Sequence, residues 1–94
     1  MSGVIIILVG YLILSSKEYD NLKSGAKVTA RSGIKIRTEP TINSDVIANA
    51  PFDAHLKIVD SIGTPDIVNG ISGNWYRVNY NNNVGYAWGS YLEK

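Results

Sequence analysis

The sequence contains no cysteine and one histidine, and neither sign of charge is in clear excess. Without cysteine, disulfide frameworks, thiolate nucleophiles and cysteine-based zinc sites are excluded, while the redox compartment is left open. Nine Lys and Arg against eight Asp and Glu give a formal charge of +1, far below the excess typical of a protein that wraps nucleic-acid phosphates. At 94 residues the chain is too short for a large enclosed active site, so we expect one domain that functions through its surface.

An uncharged apolar run occupies residues 3–14, and every charged side chain lies at Lys17 or later. The run is shorter than the roughly 17 to 25 residues that cross a bilayer, but it falls within the roughly 7 to 15 of a secretory h-region. We therefore expect residues 1–16 to be a signal-peptide-like or membrane-anchor segment, although basic residues are missing before the run. In the alternative interpretation, residues 4–7 form a buried strand of the folded domain. Lys17 stands where a lipoprotein would need its acylated cysteine, so lipidation is not expected there.

The boundaries that follow from this pattern are a polar linker at residues 17–24 and a folded domain at residues 25–94. A signal-like segment predicts export to the cell envelope, either to the periplasm or to the cell surface. It also predicts membrane association through residues 1–16 if the segment is retained.

Short stretches rich in Val, Ile, Tyr and Trp alternate with turn residues throughout the rest of the chain. They predict strands at residues 27–30, 34–37, 45–50, 54–61, 74–80 and 84–88. Pro40, Pro51 and Pro65 interrupt the segments between them, where helices would otherwise have to form. The expected fold class is therefore all-β, a sandwich or a small barrel of five to six short strands.

Two connections in this pattern stand out. Three asparagines at 81–83 tolerate positive φ, so we expect a tight hairpin between the last two long strands. Residues 62–73 are expected to form an unusually long loop, and such loops often carry function.

Strand alternation puts Tyr76 and Val78 on one face, which we assign to the core, and Trp75 on the other. In the last long strand, alternation leaves Gly85 and Ala87 as small residues where another strand can approach closely.

Two segments carry a family resemblance. SGIKIRTEPTINSDVIANA, with Ile36, Arg37, Thr38 and Pro40 in place, resembles the opening of bacterial SH3 domains. GNWYRVNYNNNVGYAWGSYLEK resembles their closing pattern, and the resemblance spans about residues 25–94. It implies an SH3-like barrel that serves as a binding module. Trp75, Trp88 and Tyr91 match groove positions of eukaryotic SH3 domains, but Trp88 replaces their proline, so binding of proline-rich peptides is not implied.

Six of the nine aromatic residues fall within the last twenty positions, on strands that should be neighbours. In the functional interpretation, Trp75, Trp88 and Tyr91 line a shallow groove in which rigid rings stack on a peptide or a sugar. In the alternative interpretation, they are ordinary core. The pattern does not decide between the two for Tyr86. Arg37 is a candidate partner for a ligand carboxylate, and an exposed arginine without a specific role is the alternative. The candidate ligand-binding residues are thus Trp75, Trp88, Tyr91, Tyr86 and Arg37.

Catalysis is not expected. His55 and Asp53 are the minimum for an acid/base pair, but no serine has the context of an activated nucleophile. We therefore predict that the protein is not an enzyme and that it needs no metal or cofactor.

The resemblance to bacterial SH3 domains implies a non-catalytic binding module of the cell envelope that recognises peptidoglycan peptides or muropeptides, and we expect it to do so through the aromatic groove. The second hypothesis is a protein-interaction module, with an envelope protein docked on the same patch, on the loop 62–73 or at a strand edge. A nucleic-acid partner is not expected, because the basic residues are interspersed with acids.

Overall fold

The computed structural model describes residues 25–94. The predicted segment 1–16, the linker 17–24 and the alternative strand at 4–7 lie outside the described residues. Over the described range no helix is long or apolar enough to span a membrane.

The described part of the chain consists mainly of strands and their connections, and its helical content is one short 3-10 helix, Gly89–Tyr91. The strands are β1 Gly25–Val28, β2 Ile34–Arg37, β3 Val46–Ala50, β4 His55–Val68, β5 Ile71–Tyr80, β6 Asn83–Trp88 and β7 Leu92–Glu93. Each of the six predicted strands overlaps one of β1–β6. The two-residue β7, which pairs with β1, was not predicted. The all-β class is confirmed.

All strands described belong to one antiparallel sheet in the order β3-β2-β6-β5-β4-β1-β7. Six of these strands, β1 to β6, contribute buried side chains to one apolar cluster. A single flat sheet cannot bring residues of six strands together, so the sheet curls around this cluster as a half-barrel. Register shifts in β4 between Ile58 and Asp60 and between Asp60 and Thr64 are irregularities of the kind that bend a strand. The members of this main core are Ala26, Val28, Ile34, Ile36, Ala50, Leu56, Ile58, Val78 and Ala87.

The predicted face assignments hold in the main core. Val78 is fully buried there, and Tyr76 packs against it from the same strand. Gly85 lies directly beside β2, since a Cβ added to it would come within 2.5 Å of the Arg37 carbonyl oxygen. Ala87 is also fully buried. The small residues of β6 therefore let β2 approach closely, as the sequence predicts.

The prediction of a long loop at residues 62–73 is wrong. β4 continues to Val68 and β5 begins at Ile71, so the segment is a two-stranded ribbon, which we call the arm. Its strands are joined by Asn69 and Gly70, with φ of 52° and 79°. Positive φ at both central residues is the geometry of a type I′ hairpin, and Asn-Gly is its strongest sequence signal. The Asn69–Gly70 pair is thus the turn of a hairpin within the segment for which a loop is expected.

The predicted hairpin between β5 and β6 is confirmed. Tyr80 pairs with Asn83, which leaves Asn81 and Asn82 as the turn, with φ of 50° and 68°. Asparagine tolerates this left-handed region better than other residues with a side chain. The turn fixes the register that places Trp75 opposite Trp88.

Candidate binding groove

The two tryptophans of the chain form a pair on the outer face of the sheet, away from the main core. Trp75 on β5 is directly opposite Trp88 on β6, and their ring centroids are 5.2 Å apart with the planes tilted by 58°. Offset, tilted rings at this distance have a favourable electrostatic geometry. Gly73 makes room for this pair, because a Cβ there would lie 2.8 Å from Cζ2 of Trp88.

The arm covers the tryptophan pair. Val68, near its tip, forms a second buried cluster with Trp75 and Trp88, and Tyr86 packs against this cluster. As a result Trp75 is only 2% exposed and Trp88 only 4%. The functional interpretation of the sequence has both rings lining a shallow groove, with ordinary core as the alternative. The structure instead buries most of their surface beneath a segment that was expected to be a loop.

A hydrogen bond ties the arm to the pair. The indole N–H of Trp75 donates to Oδ2 of Asp66 at 2.9 Å, and the backbone N–H of Ile67 donates to the other carboxylate oxygen at 2.7 Å. Both bonds favour the ionised carboxyl. The Trp75 bond in the first place, and the Ile67 bond in the second, hold the pKa of Asp66 below its ordinary value of 3.8, against a smaller opposing effect of burial.

A groove of about 310 Å³ opens between the tip of the arm and β2. The covered tryptophan pair forms part of its wall, and Tyr91 of the 3-10 helix is its most exposed aromatic residue, at 42%. The lining residues are Ser32, Gly33, Ile34, Lys35, Arg37, Ile42, Asn49, Val68, Asn69, Trp75, Trp88 and Tyr91. Polar groups make up most of the surface of this groove, and apolar side chains such as Ile42 and Val68 contribute the smaller part.

Arg37 holds one wall of the groove in place. Its Nη1 donates to the carbonyl oxygen of Ser44 at 2.7 Å. The hydroxyl of Ser44 in turn donates its one proton in a shared hydrogen bond to the carbonyl oxygens of Thr41 at 2.7 Å and Glu39 at 2.9 Å. These bonds close the loop 38–45 on itself beside β2, and Ile42 of this loop lies in the groove wall.

The structure brings four of the five candidate residues to the same groove: Trp75, Trp88, Tyr91 and Arg37. Tyr86 is not in the lining. It lies between Arg37 and Arg77 in the sheet register and packs behind the tryptophan pair. Their roles in ligand binding stay predictions. Lys35, Ile42, Val68 and Asn69 also line the groove and were not singled out. Strand alternation from Arg37 could have found Lys35, and the Asn-Gly signal could have found the tip of the arm.

Asp53 and His55 lie elsewhere. Asp53 is in the turn before β4, and its carboxylate oxygen is 3.8 Å from Nζ of Lys27, which is also 3.8 Å from Glu93. His55 is exposed at the start of β4. Neither residue lines the groove. Over residues 25–94 there is also no cluster of three or more His, Cys, Asp or Glu side chains that could hold a metal ion.

A half-barrel with one closed core and a partly aromatic groove on its outer face defines a small domain of the SH3-like class. The sequence profile described as bacterial SH3 domain matches residues 32–93. This match spans most of the chain, which therefore belongs to the bacterial SH3 domain family, as the resemblance predicts. Such domains are modules that often bind in the cell envelope. No curated protein matches the chain significantly.

Proposed function

We propose that this chain is a non-catalytic binding module of the cell envelope that recognises peptidoglycan peptides in the groove beside the arm. The observation that carries the proposal is the convergence of Trp75, Trp88, Tyr91 and Arg37 on one concave surface. The module would act by localisation, holding the protein, or whatever is joined to it, at the wall.

Each residue has a distinct part in this proposal. Because the arm covers Trp75 and Trp88, they shape and stiffen the wall of the groove instead of stacking face to face with a ligand. Tyr91 presents the accessible ring and a hydroxyl, so it is the residue that stacks. A volume of about 310 Å³ is at the small end of known ligand sites, which suits a short peptide segment better than a polysaccharide strand.

The proposal is tested by sedimenting the purified protein with intact peptidoglycan sacculi at two salt concentrations. We expect pelleting that survives moderate salt and is lost in Tyr91→Ala. Phe52→Ala is the matched control, since Phe52 is a similarly exposed aromatic residue outside the groove, with Arg31 5.1 Å above its ring. Equal loss in both variants would refute a specific role of the groove, and absence of pelleting would refute wall binding.

Export is part of the same proposal and rests on the apolar run at residues 3–14. The full-length gene product, expressed in its bacterial host, is expected in the envelope fraction, and a form lacking residues 1–16 is expected in the cytoplasm. Identical fractionation of the two forms would contradict the signal or anchor role of this segment.

A second candidate function is favoured by the exposed isoleucines of the arm. Ile62, Ile67 and Ile71 are all exposed there, Ile62 to 81%. Three exposed isoleucines on one ribbon are the kind of apolar surface that protein partners cover. If an envelope protein docks here, Ile67→Asp should abolish its capture while Tyr91→Ala leaves it unchanged. The opposite pattern would assign the binding to the groove.

A further inference from the structure

We infer that the groove selects peptides with a free carboxylate, and that Lys35 binds this carboxylate together with Arg37. The inference rests on the proposed function, and it adds the ligand chemistry and a binding residue, Lys35, that the sequence pattern did not single out.

The charged side chains that line the groove are both basic. Lys35 and Arg37 are its charged lining residues, and neither Asp nor Glu is among the side chains that line it. In the described part of the chain, the ion pairs join Lys27 to Asp53 and to Glu93, and they involve neither groove cation. Two positive charges thus face the groove without a carboxylate partner in its lining. An anionic ligand group complements them, and a cationic one is repelled.

The two basic residues lie on the same face of β2. Ile34 and Ile36 are buried in the main core, so alternation directs Lys35 and Arg37 to the opposite, outer face. Two residues apart on a strand, they begin roughly 7 Å from each other. Their long side chains can therefore converge on one carboxylate that lies above the strand.

Arg37 is already oriented. One of its N–H groups is used by the Ser44 carbonyl, and a guanidinium has five in a fixed fork, so donors remain for a ligand. This bond restrains the side chain before binding, which lowers the entropy cost of capturing the carboxylate. Lys35 adds a second charge, and its exposed side chain makes no hydrogen bond or ion pair within residues 25–94.

The rest of the lining suits the body of a short peptide. Ile42 and Val68 offer apolar contacts for small side chains, and Asn49 and Asn69 offer amide groups for hydrogen bonds to the peptide backbone. Peptidoglycan stem peptides combine small side chains with carboxyl groups, which in some walls are amidated. Amidation would therefore remove the negative charge that Lys35 and Arg37 bind, and it would weaken recognition of the peptide.

The test compares two synthetic stem tetrapeptides, one with its carboxyl groups free and one with them amidated, titrated into the full protein by calorimetry. Charge-assisted hydrogen bonds predict that amidation weakens binding at least about tenfold. Lys35→Met should bring the two peptides to within about threefold of each other. Lys57→Met, which removes the same charge from β4 outside the groove, should leave the full difference in place.

Arg37→Lys supplies a second variant that keeps the charge but removes the planar fork, and it should retain only part of the preference. Equal affinity for the free and the amidated peptide would overturn the inference while leaving the proposed function in place. Pelleting with sacculi without affinity for either peptide would overturn it too, by assigning the binding to another wall component. Absence of both kinds of binding would overturn the inference and the proposed function together.

Discussion

Truncating Val68 to alanine should weaken the docking of the arm on the tryptophan pair without unfolding the main core. Val68 is buried near the tip of the arm and packs on Trp75 and Trp88. The main core is a separate cluster of residues from β1 to β6, to which Val68 does not contribute. The substitution therefore acts on the docking of the arm and leaves the half-barrel intact.

The magnitude follows from the two carbon atoms that Val68→Ala removes. At about 0.8 kcal/mol for each buried carbon, the docked arm loses about 1.6 kcal/mol, which is about a 15-fold increase in the ratio of undocked to docked arm. Any unfilled cavity beneath the residue adds to this loss.

Tryptophan fluorescence measures this change directly, because both tryptophans of the chain are under the arm. Acrylamide quenching should increase in Val68→Ala at concentrations of denaturant that leave the protein folded. Val78→Ala is the matched control. It makes the same truncation in the main core, so it should lower the free energy of unfolding with little effect on quenching of the folded state. Equal quenching of wild type and Val68→Ala would refute the view that the arm covers the pair.

Three further predictions concern the same elements. Because the pKa of Asp66 is lowered by its bond to Trp75, the carboxylate stabilises the docked arm above the ordinary pKa of 3.8, and this contribution is lost as the pH falls through the lowered value. Tryptophan quenching should therefore rise on acidification in the wild type, and this component of the pH dependence should be absent in Asp66→Asn. Gly73→Ala, whose Cβ would lie 2.8 Å from the Trp88 ring, should destabilise the protein by about 1–3 kcal/mol in chemical denaturation and increase quenching, and unchanged values would contradict the packing described. Asn82→Val, at a φ of 68°, should cost about 1–2 kcal/mol in the same assay, whereas Asn82→Gly should stay near the wild type, and equal effects would argue against strain in this turn.

Local sequence patterns were sufficient to predict the all-β class and the last hairpin, and the family resemblance predicted the SH3-like barrel. Alternation assigned Tyr76 and Val78 to the core, and the asparagines after Tyr80 indicated the turn that sets the Trp75–Trp88 register. Both inferences depend on residues close together in the chain, where backbone preference and strand period determine the outcome.

The burial of the tryptophans could not be predicted in the same way. Alternation correctly separated Trp75 from the main core, but it says nothing about what covers the outer face of a sheet. The cover is the arm, and it depends on a contact of Asp66 with a ring nine residues further along the chain and on the packing of Val68 against Trp75 and Trp88. The Asn69–Gly70 pair predicts a hairpin there, but it does not predict that the ribbon curls back over the sheet. For this reason Trp88→Ala is a poor test of ligand binding, since it also removes a buried ring at a cost of about 3–5 kcal/mol.

The most direct test of the central claim is an NMR titration of the isotope-labelled protein with soluble muropeptides. The two tryptophans give two indole N–H signals, one for each ring of the covered pair. If the groove is the binding site, the largest shifts should fall on residues 32–37, on the arm tip at 68–69, on 88–91 and on the indole of Trp88 or Trp75. Shifts confined to the separate surface around Gly25, His55 and Lys57, or no shifts at saturating muropeptide, would contradict the assignment of the groove as a peptidoglycan-binding site.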